Sequence, residues 1–447
     1  MRQTTTLAIG VLLFAATTMS MHAATITVTN TNDSGPGSLR QALVVAHDGD
    51  RISFAVSGTI TLTSSGLAVT KSVTISGPGA DQLSIAGIQG QSVFFVAAIA
   101  TISGLTIRNG QDGIDNVGIL TVRNCVIRDN SSDGISNVTG TSLTVVSSNV
   151  SDNDGSGIGI NVSDGGASAT IVNTTVSGNS AGGIMTSAFF GGAAVTVTDS
   201  TISSNFGYGG IYGVLSLTVA NSTISNNSSG GTGGGIFAFQ NVSIVNSTIS
   251  GNTGTSGGGI YCIGSQDSSI VNSTISGNSA GTSGGGIYNF VSFLQVANST
   301  ISGNSAGSGG GIYNDGDDLV EISNTILNAG ALGANIFNSG GAVTSLGYNL
   351  SSDDGGGYLT GPGDQINTDP LLGPLQNNGG LTFTHALLPG SPAIDAGDPN
   401  FHPPPFNDQR GCPRVSNGRI DVGSLERQPL GRSCVTPHPR PTPAPRP

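Results

Sequence analysis

A chain of 447 residues with 71 Gly, no Trp and only 9% charged residues departs from an ordinary globular enzyme, in which about a quarter of residues carry charge. Its formal charge of -12, with no Lys or Arg between Arg128 and Arg410, argues against nucleic acid as a partner, because phosphate contacts rest on those side chains. Length does not count domains here, since the dominant feature is a repeat and a repeat array grows linearly.

At the start, Met1 and Arg2 precede the apolar run Leu7 to Ala16, which reads as a secretory signal over residues 1–24 and is too short to span a bilayer. No later stretch is apolar enough to predict a transmembrane segment in the mature chain. Residues 25–60 read as an N-terminal cap. Within it, Ser38 is a capping residue, Leu39, Ala42, Leu43 and Ala46 fall at helical spacing, and Asp48-Gly49 stops the run, so a short helix is expected over 38–47.

Residues 61–330 read as coils, and between Ile107 and Asn304 the chain repeats one phrase nine times, clearest as Asn246-Ser247-Thr248-Ile249-Ser250-Gly251-Asn252. Its last Asn recurs at 109, 130, 153, 179, 205, 227, 252, 278 and 304, a period of about 24 residues that marks a solenoid. Within one repeat Leu215, Leu217 and Val219 alternate with polar residues, and Ile224 restarts the pattern before a Gly-rich stretch. Alternation predicts strand, and Asn and Gly predict corners. Three short strands per repeat, stacked about 4.8 Å apart, make a single-stranded parallel β-helix. The repeated Asn, at Asn227, Asn252, Asn278 and Asn304 among others, is expected to hold left-handed corners and to bond its amide from coil to coil. A second landmark, Gly257-Gly258-Gly259-Ile260-Tyr261, recurs around Phe237, Tyr288 and Tyr313 and predicts an aromatic column.

Residues 331–427 read as a loop-rich C-terminal cap in which Arg410 and Asp421 belong to a set of structural charges, and 428–447 as a Pro-rich extended tail. Cys412 and Cys434 are expected to close a loop, while Cys125 and Cys262 read as small core residues.

The repeats resemble those of bacterial right-handed parallel β-helix surface proteins and are similar to polymorphic outer membrane protein repeats. Asn32-Asp33-Ser34-Gly35-Pro36-Gly37-Ser38-Leu39-Arg40-Gln41-Ala42 is similar to the opening of CSLREA-domain proteins, with Gly37 in place of Cys and Gln41 in place of Glu. Asp369-Pro370-Leu371-Leu372-Gly373, Asn377-Asn378-Gly379-Gly380, Ser391-Pro392-Ala393-Ile394-Asp395-Ala396-Gly397, Asp408-Gln409-Arg410-Gly411 and Asp421-Val422-Gly423 resemble the choice-of-anchor Q domain. The resemblance implies a secreted or surface β-helix, attached by a variable device and without one shared activity.

Chemistry is sparse. The densest acidic group, Asp315, Asp317, Asp318 and Glu321, supplies the weak candidates for a catalytic pair, and Asp315 and Asp317 those for Ca²⁺; a solvated turn explains both. No His lies between His47 and His385, which removes the commonest general base from every coil. The reading is therefore a noncatalytic protein without a cofactor, secreted or on the cell surface and engaged in adhesion, matrix or carbohydrate contact. Phe237, Tyr261, Tyr288 and Tyr313 are its candidate ligand-binding residues, with polysaccharide or cell-surface glycan as partner; packing between coils explains the same aromatics equally well. The competing reading is a polysaccharide lyase or glycoside hydrolase of the β-helix class.

Overall fold

In the computed structural model the described residues are 23–429 and 434, apart from 139, 163–165, 188–192, 265–266, 291 and 318. The expected signal segment (but for its last two residues), the end of the tail and Asp318 lie outside them. Among the described residues, three parallel sheets of 14, 13 and 12 strands run the length of the molecule. One coil gives Val242–Val245 to the first sheet, Thr248–Ser250 to the second and Ile260–Ile263 to the third. The next coil pairs with it in register, Ile249 against Ile275 and Tyr261 against Tyr288. The chain is a right-handed parallel β-helix of about thirteen coils.

The alternation seen in the sequence is the inward and outward alternation of these strands. In Ile260–Ile263, Ile260 and Cys262 are fully buried while Tyr261 and Ile263 are half-buried outside. Ile224, Ile249, Ile275 and Ile301 form one of the inner columns, each with 0% exposure. Burying each such side chain contributes roughly 1.5 to 3 kcal/mol, so the core grows by a fixed increment per coil.

The corners differ from expectation by one residue. The repeated Asn forms the expected ladder, Asn227 Nδ2 donating to Asn252 Oδ1 at 2.9 Å and Asn252 Nδ2 to Asn278 Oδ1 at 2.9 Å. The left-handed backbone, however, falls on the residue before it, Asn226 at φ 55° and Gly251 at φ 64°. A ladder amide must point inward along the stack, and the preceding residue turns the chain so that it does. Asn109 is the exception: its φ is 60°, and Gly110 occupies the ladder position, its N–H donating to Asn130 Oδ1 at 3.0 Å. The Asn that opens the phrase takes the other corner, Asn221, Asn246, Asn272 and Asn298 all lying near φ 50°.

A second ladder stands beside this other corner. Ser247 N–H donates to Ser273 Oγ at 3.2 Å and Ser273 N–H to Ser299 Oγ at 3.2 Å, while Ser247 Oγ donates back to Val245 O at 2.8 Å. Cys125 belongs to this column. It is buried, its N–H donates to Ser148 Oγ at 3.2 Å, and its Sγ reaches Arg123 O at 3.2 Å. Burial pushes its thiol up to about 11 and that of Cys262 up to about 12; both are unpaired and inert for the same reason. In the Gly triplets, Gly257 takes φ 61°, and a Cβ on Gly259 would meet Gly286 O at 2.5 Å, so neighbouring coils approach too closely there for any side chain.

The helix Leu39–Val45 lies across the first coil with Ser38 as its N-cap, accepting from Gln41 N–H at 3.2 Å, and Leu39, Ala42 and Leu43 buried. Arg40 pins this end, its Nη2 lying 2.5 Å from Asp33 Oδ1 and donating to Ser65 O at 2.6 Å. At the other end Leu359 joins the main core, next to a 3₁₀ turn over Gly355–Gly357. The rest of the expected C-terminal cap leaves that end. Residues from about Asp369 to Arg427 fold back along the outer face of the second sheet, through the antiparallel pair Leu372–Gln376 and Thr384–Leu387 and a small separate core of Ile326, Leu350, Leu387, Ala393, Val422 and Leu425.

Candidate functional site

The aromatic column stands on the outer face of the third sheet, where the strand residue after each inward Ile points outward. Tyr261 and Tyr288 stack with ring centroids 4.6 Å apart and an interplanar angle of 10°, and Tyr288 and Tyr313 at 4.9 Å and 21°. Phe237 joins Tyr261 at 5.4 Å. The column is longer than the Gly-Gly-Gly-Ile motif indicated: Tyr212 stacks on Phe237 at 4.7 Å and Phe337 on Tyr313 at 5.3 Å. Tyr212 follows Gly209-Gly210-Ile211, a truncated copy of the motif, and Phe337 follows Asn335-Ile336. The rings are partly covered by one another, Phe237 being 8% exposed and Phe337 43%. Edges and the outermost faces remain in solvent.

The acidic candidates separate. Asp315 ends the third-sheet strand Ile312–Asp315 and accepts from Tyr288 Oη at 2.6 Å, so it supports the aromatic column. Burial, then this hydrogen bond and the Asp315 charge, hold the Tyr288 phenol above its ordinary value. Asp317 is exposed in the following turn, and Glu321 stands on the first sheet between Gln295 and Thr344. Asp315 and Glu321 thus project from different sheets, and among the described residues no group of three His, Cys, Asp or Glu is placed to hold a metal ion.

A different carboxylate group forms where it was not expected. Asp112 and Asp133 occupy equivalent positions in successive coils, and Asp112 Oδ1 accepts Asp133 N–H at 3.0 Å. Asp133 Oδ1 in turn accepts Ser156 N–H at 2.7 Å. Burial and the Asp112 charge push Asp133 up to about 6, and burial with the same charge also raises Asp115. Asp112 and Asp115 line a cleft of about 450 Å³ with Ser65, Gln91 and Phe95. The sequence signal was present: Asp112-Gly113-Ile114 returns as Asp133-Gly134-Ile135, so the repeat itself stacks two like charges.

The charged residues of the returning segment are structural in their contacts. Asp408 Oδ1 accepts the N–H groups of Arg410 and Cys412 at 2.9 and 3.0 Å, and its Oδ2 pairs with Arg410 Nη2 at 2.8 Å. Asp421 accepts Asp395 N–H at 2.7 Å and Arg427 N–H at 2.6 Å. Arg414 is fully buried, with Asn298 O at 3.2 Å. Cys412 and Cys434 are joined as a disulfide. Gln409 ties the segment to the solenoid. Its Nε2 donates to Thr248 Oγ1 at 2.9 Å and to Ser247 O at 3.1 Å, and its Oε1 accepts from Thr274 Oγ1 at 2.6 Å.

These features define a β-helix with two outward-facing candidate surfaces, an aromatic column and an acidic cleft, both on the third sheet. Residues 58–223 match the family described as right handed beta helix region. Among solved structures the chain is similar to the pectate lyase Pel9A, at 15% identity over 92% of this chain and 98% of that one, with a TM-score of 0.42. It is also similar to the A-module of the Azotobacter vinelandii mannuronan C-5 epimerase AlgE6, at 14% identity over 72% and 97% with a TM-score of 0.44. A mannuronic acid specific polysaccharide family 6 lyase from human gut microbiota matches at 11% identity over 74% and 87%, with a TM-score of 0.50. At these identities the likeness is one of fold. No curated protein matches the sequence.

Proposed function

We propose that this is a secreted or cell-surface β-helix protein that contacts glycans without transforming them, the aromatic column of the third sheet being the contact surface. The observation that carries this reading is the run of stacked rings from Tyr212 to Phe337 on an outer face. Pyranose rings present apolar faces and hydroxyl rims, which aromatic edges and phenol hydroxyls complement. The lack of Lys and Arg between Arg128 and Arg410 fits a neutral partner better than an acidic one. Among the described residues no helix is long and apolar enough to cross a membrane. Retention on insoluble polysaccharides tests the reading. Wild-type protein should sediment with at least one of them, and Tyr261→Ala with Tyr288→Ala should release it at least fivefold; equal retention of the double variant overturns the assignment to the column.

The second reading is a polysaccharide lyase or hydrolase, and the acidic cleft favours it. Asp133, next to the cleft-lining Asp112, is pushed up to about 6 by burial and the Asp112 charge, the direction a general acid requires. A screen for reducing ends and unsaturated products between about pH 4 and 7, with Ca²⁺ added, decides it. Activity abolished by Asp133→Asn would replace the noncatalytic reading.

A further inference from the structure

The outer face of the second sheet carries two in-register columns of hydroxyls, Thr201, Thr223 and Thr248 in one and Ser203, Ser225 and Ser250 in the other. The returning segment covers the columns from Thr248 onward, and there the hydroxyls take neutral partners. Thr248 Oγ1 donates to Phe383 O at 2.6 Å and Thr274 Oγ1 to Gln409 Oε1 at 2.6 Å. Ser276 Oγ lies 2.9 Å from His385 Nε2. His385 Nδ1 donates to Gly373 O at 2.7 Å, which leaves Nε2 to accept from Ser276, and burial holds this imidazole below its ordinary value, hence neutral. Where the segment stops, the columns continue. A groove of about 660 Å³ opens there, floored by Thr223, Ser225 and Ser250 and walled by Leu375, Leu381 and Phe383. That volume falls within the roughly 300 to 1,000 Å³ of small-ligand pockets.

We infer that this groove binds a linear, neutral polysaccharide laid along the helix axis, an inference that rests on the glycan-contact reading and adds a second, distinct site to it. Three features select the occupant. Among the described residues none that lines the groove is charged, so a uronate or phosphate would be desolvated without compensation. The floor offers paired hydroxyls, each donor and acceptor, at the coil spacing of about 4.8 Å, comparable to the advance of one sugar unit in an extended chain. Phe383, 52% exposed, and Leu381 supply an apolar wall for a pyranose face. A peptide is disfavoured, because extended peptides are bound at sheet edges through main-chain hydrogen bonds and this floor is a sheet face.

Calorimetric titration of the full chain with cellohexaose, xylohexaose and mannohexaose, with hexagalacturonate as acidic control, tests this. At least one neutral hexasaccharide should bind. The double variant Thr223→Val with Ser225→Ala, whose side chains lie on the outer face and leave the core intact, should weaken it at least tenfold with an unchanged dichroism spectrum, as should Phe383→Ala. Preference for hexagalacturonate overturns the inference. So does binding of a synthetic peptide of residues 435–447 in place of the sugars, with the same sensitivity to Thr223→Val. Hexasaccharide binding that ignores the floor variants but is lost with Tyr261→Ala and Tyr288→Ala removes the groove and leaves the column. Failure of every hexasaccharide, with retention on insoluble polysaccharide intact, does the same.

Discussion

Asn252 shows what a single side chain does in this molecule. Its Oδ1 accepts Asn227 N–H at 3.0 Å and Asn227 Nδ2 at 2.9 Å, and its own Nδ2 donates to Asn278 Oδ1 and, at 3.0 Å, to Ile224 O. All of this is buried, so Asn252→Ala leaves two donors of Asn227 without partners inside the core. Unsatisfied buried groups cost about 1 to 3 kcal/mol each, and a loss of about 2 to 4 kcal/mol is expected in urea unfolding followed by far-ultraviolet dichroism. Asp133 works in the opposite direction. Its carboxyl titrates near 6 when folded and near 3.8 when unfolded, so the folded chain holds the extra proton between those values. The contribution is fully present below about pH 4 and is lost as pH rises through about 6. Asp133→Asn should therefore match wild type near pH 3.5 and exceed it at pH 7 by about 1 to 2 kcal/mol, after allowance for partial solvent contact. A variant no more stable than wild type at pH 7 would show the Asp133 carboxyl to be unperturbed.

At the scale of elements, strands and corners were legible because one physical constraint wrote them many times over. The inward Ile of each strand, the Gly-Gly-Gly-Ile turn and the laddered Asn recur from coil to coil, and the Ser38 cap marked the helix Leu39–Val45 from local chemistry alone. Two things escaped. Which residue of Asn226-Asn227 turns left-handed depends on where the amide must point in the stack, and both residues suit either role. The docking of the returning segment depends on contacts 74 to 162 residues apart, such as Asn324 with Asp398 and Ser247 with Gln409, for which local pattern carries no signal. The candidate site was half legible: the aromatic column followed from the repeat, whereas Asp112 with Asp133 lay in a repeated Asp-Gly-Ile that the Asn period overshadowed. The element most dependent on one residue is the docked segment. Gln409→Ala removes three hydrogen bonds that tether it to Ser247, Thr248 and Thr274, and should raise amide exchange across Thr382 to Leu387 while leaving the first coils protected.

For the molecule as a whole, stability is distributed along an axis, and each coil is held chiefly by its two neighbours. The helix Leu39–Val45 packs on the first strands of the first and third sheets, and Leu359 with its turn closes the core at the other end, which hinders end-to-end pairing with another copy. Every Lys and Arg lies at or before Arg128 or at or after Arg410, and the coils between present mainly hydroxyls, amides and aromatic rings. Under the proposed reading, that surface meets an uncharged partner of extended shape on more than one side of the solenoid.

The docked segment also acts as a calliper. Gln409 spans the rungs of Thr248 and Thr274, and Ser424 reaches Thr300 with N–H to Oγ1 at 3.0 Å, so this half of the tower must keep a fixed height. Among the described residues the earlier half carries no such gauge. Excising one full rung of 26 residues between Asn153 and Asn179 should shorten the tower by one storey and leave it soluble and folded, whereas the equal cut between Asn252 and Asn278 should dislodge the strap and invite proteolysis there.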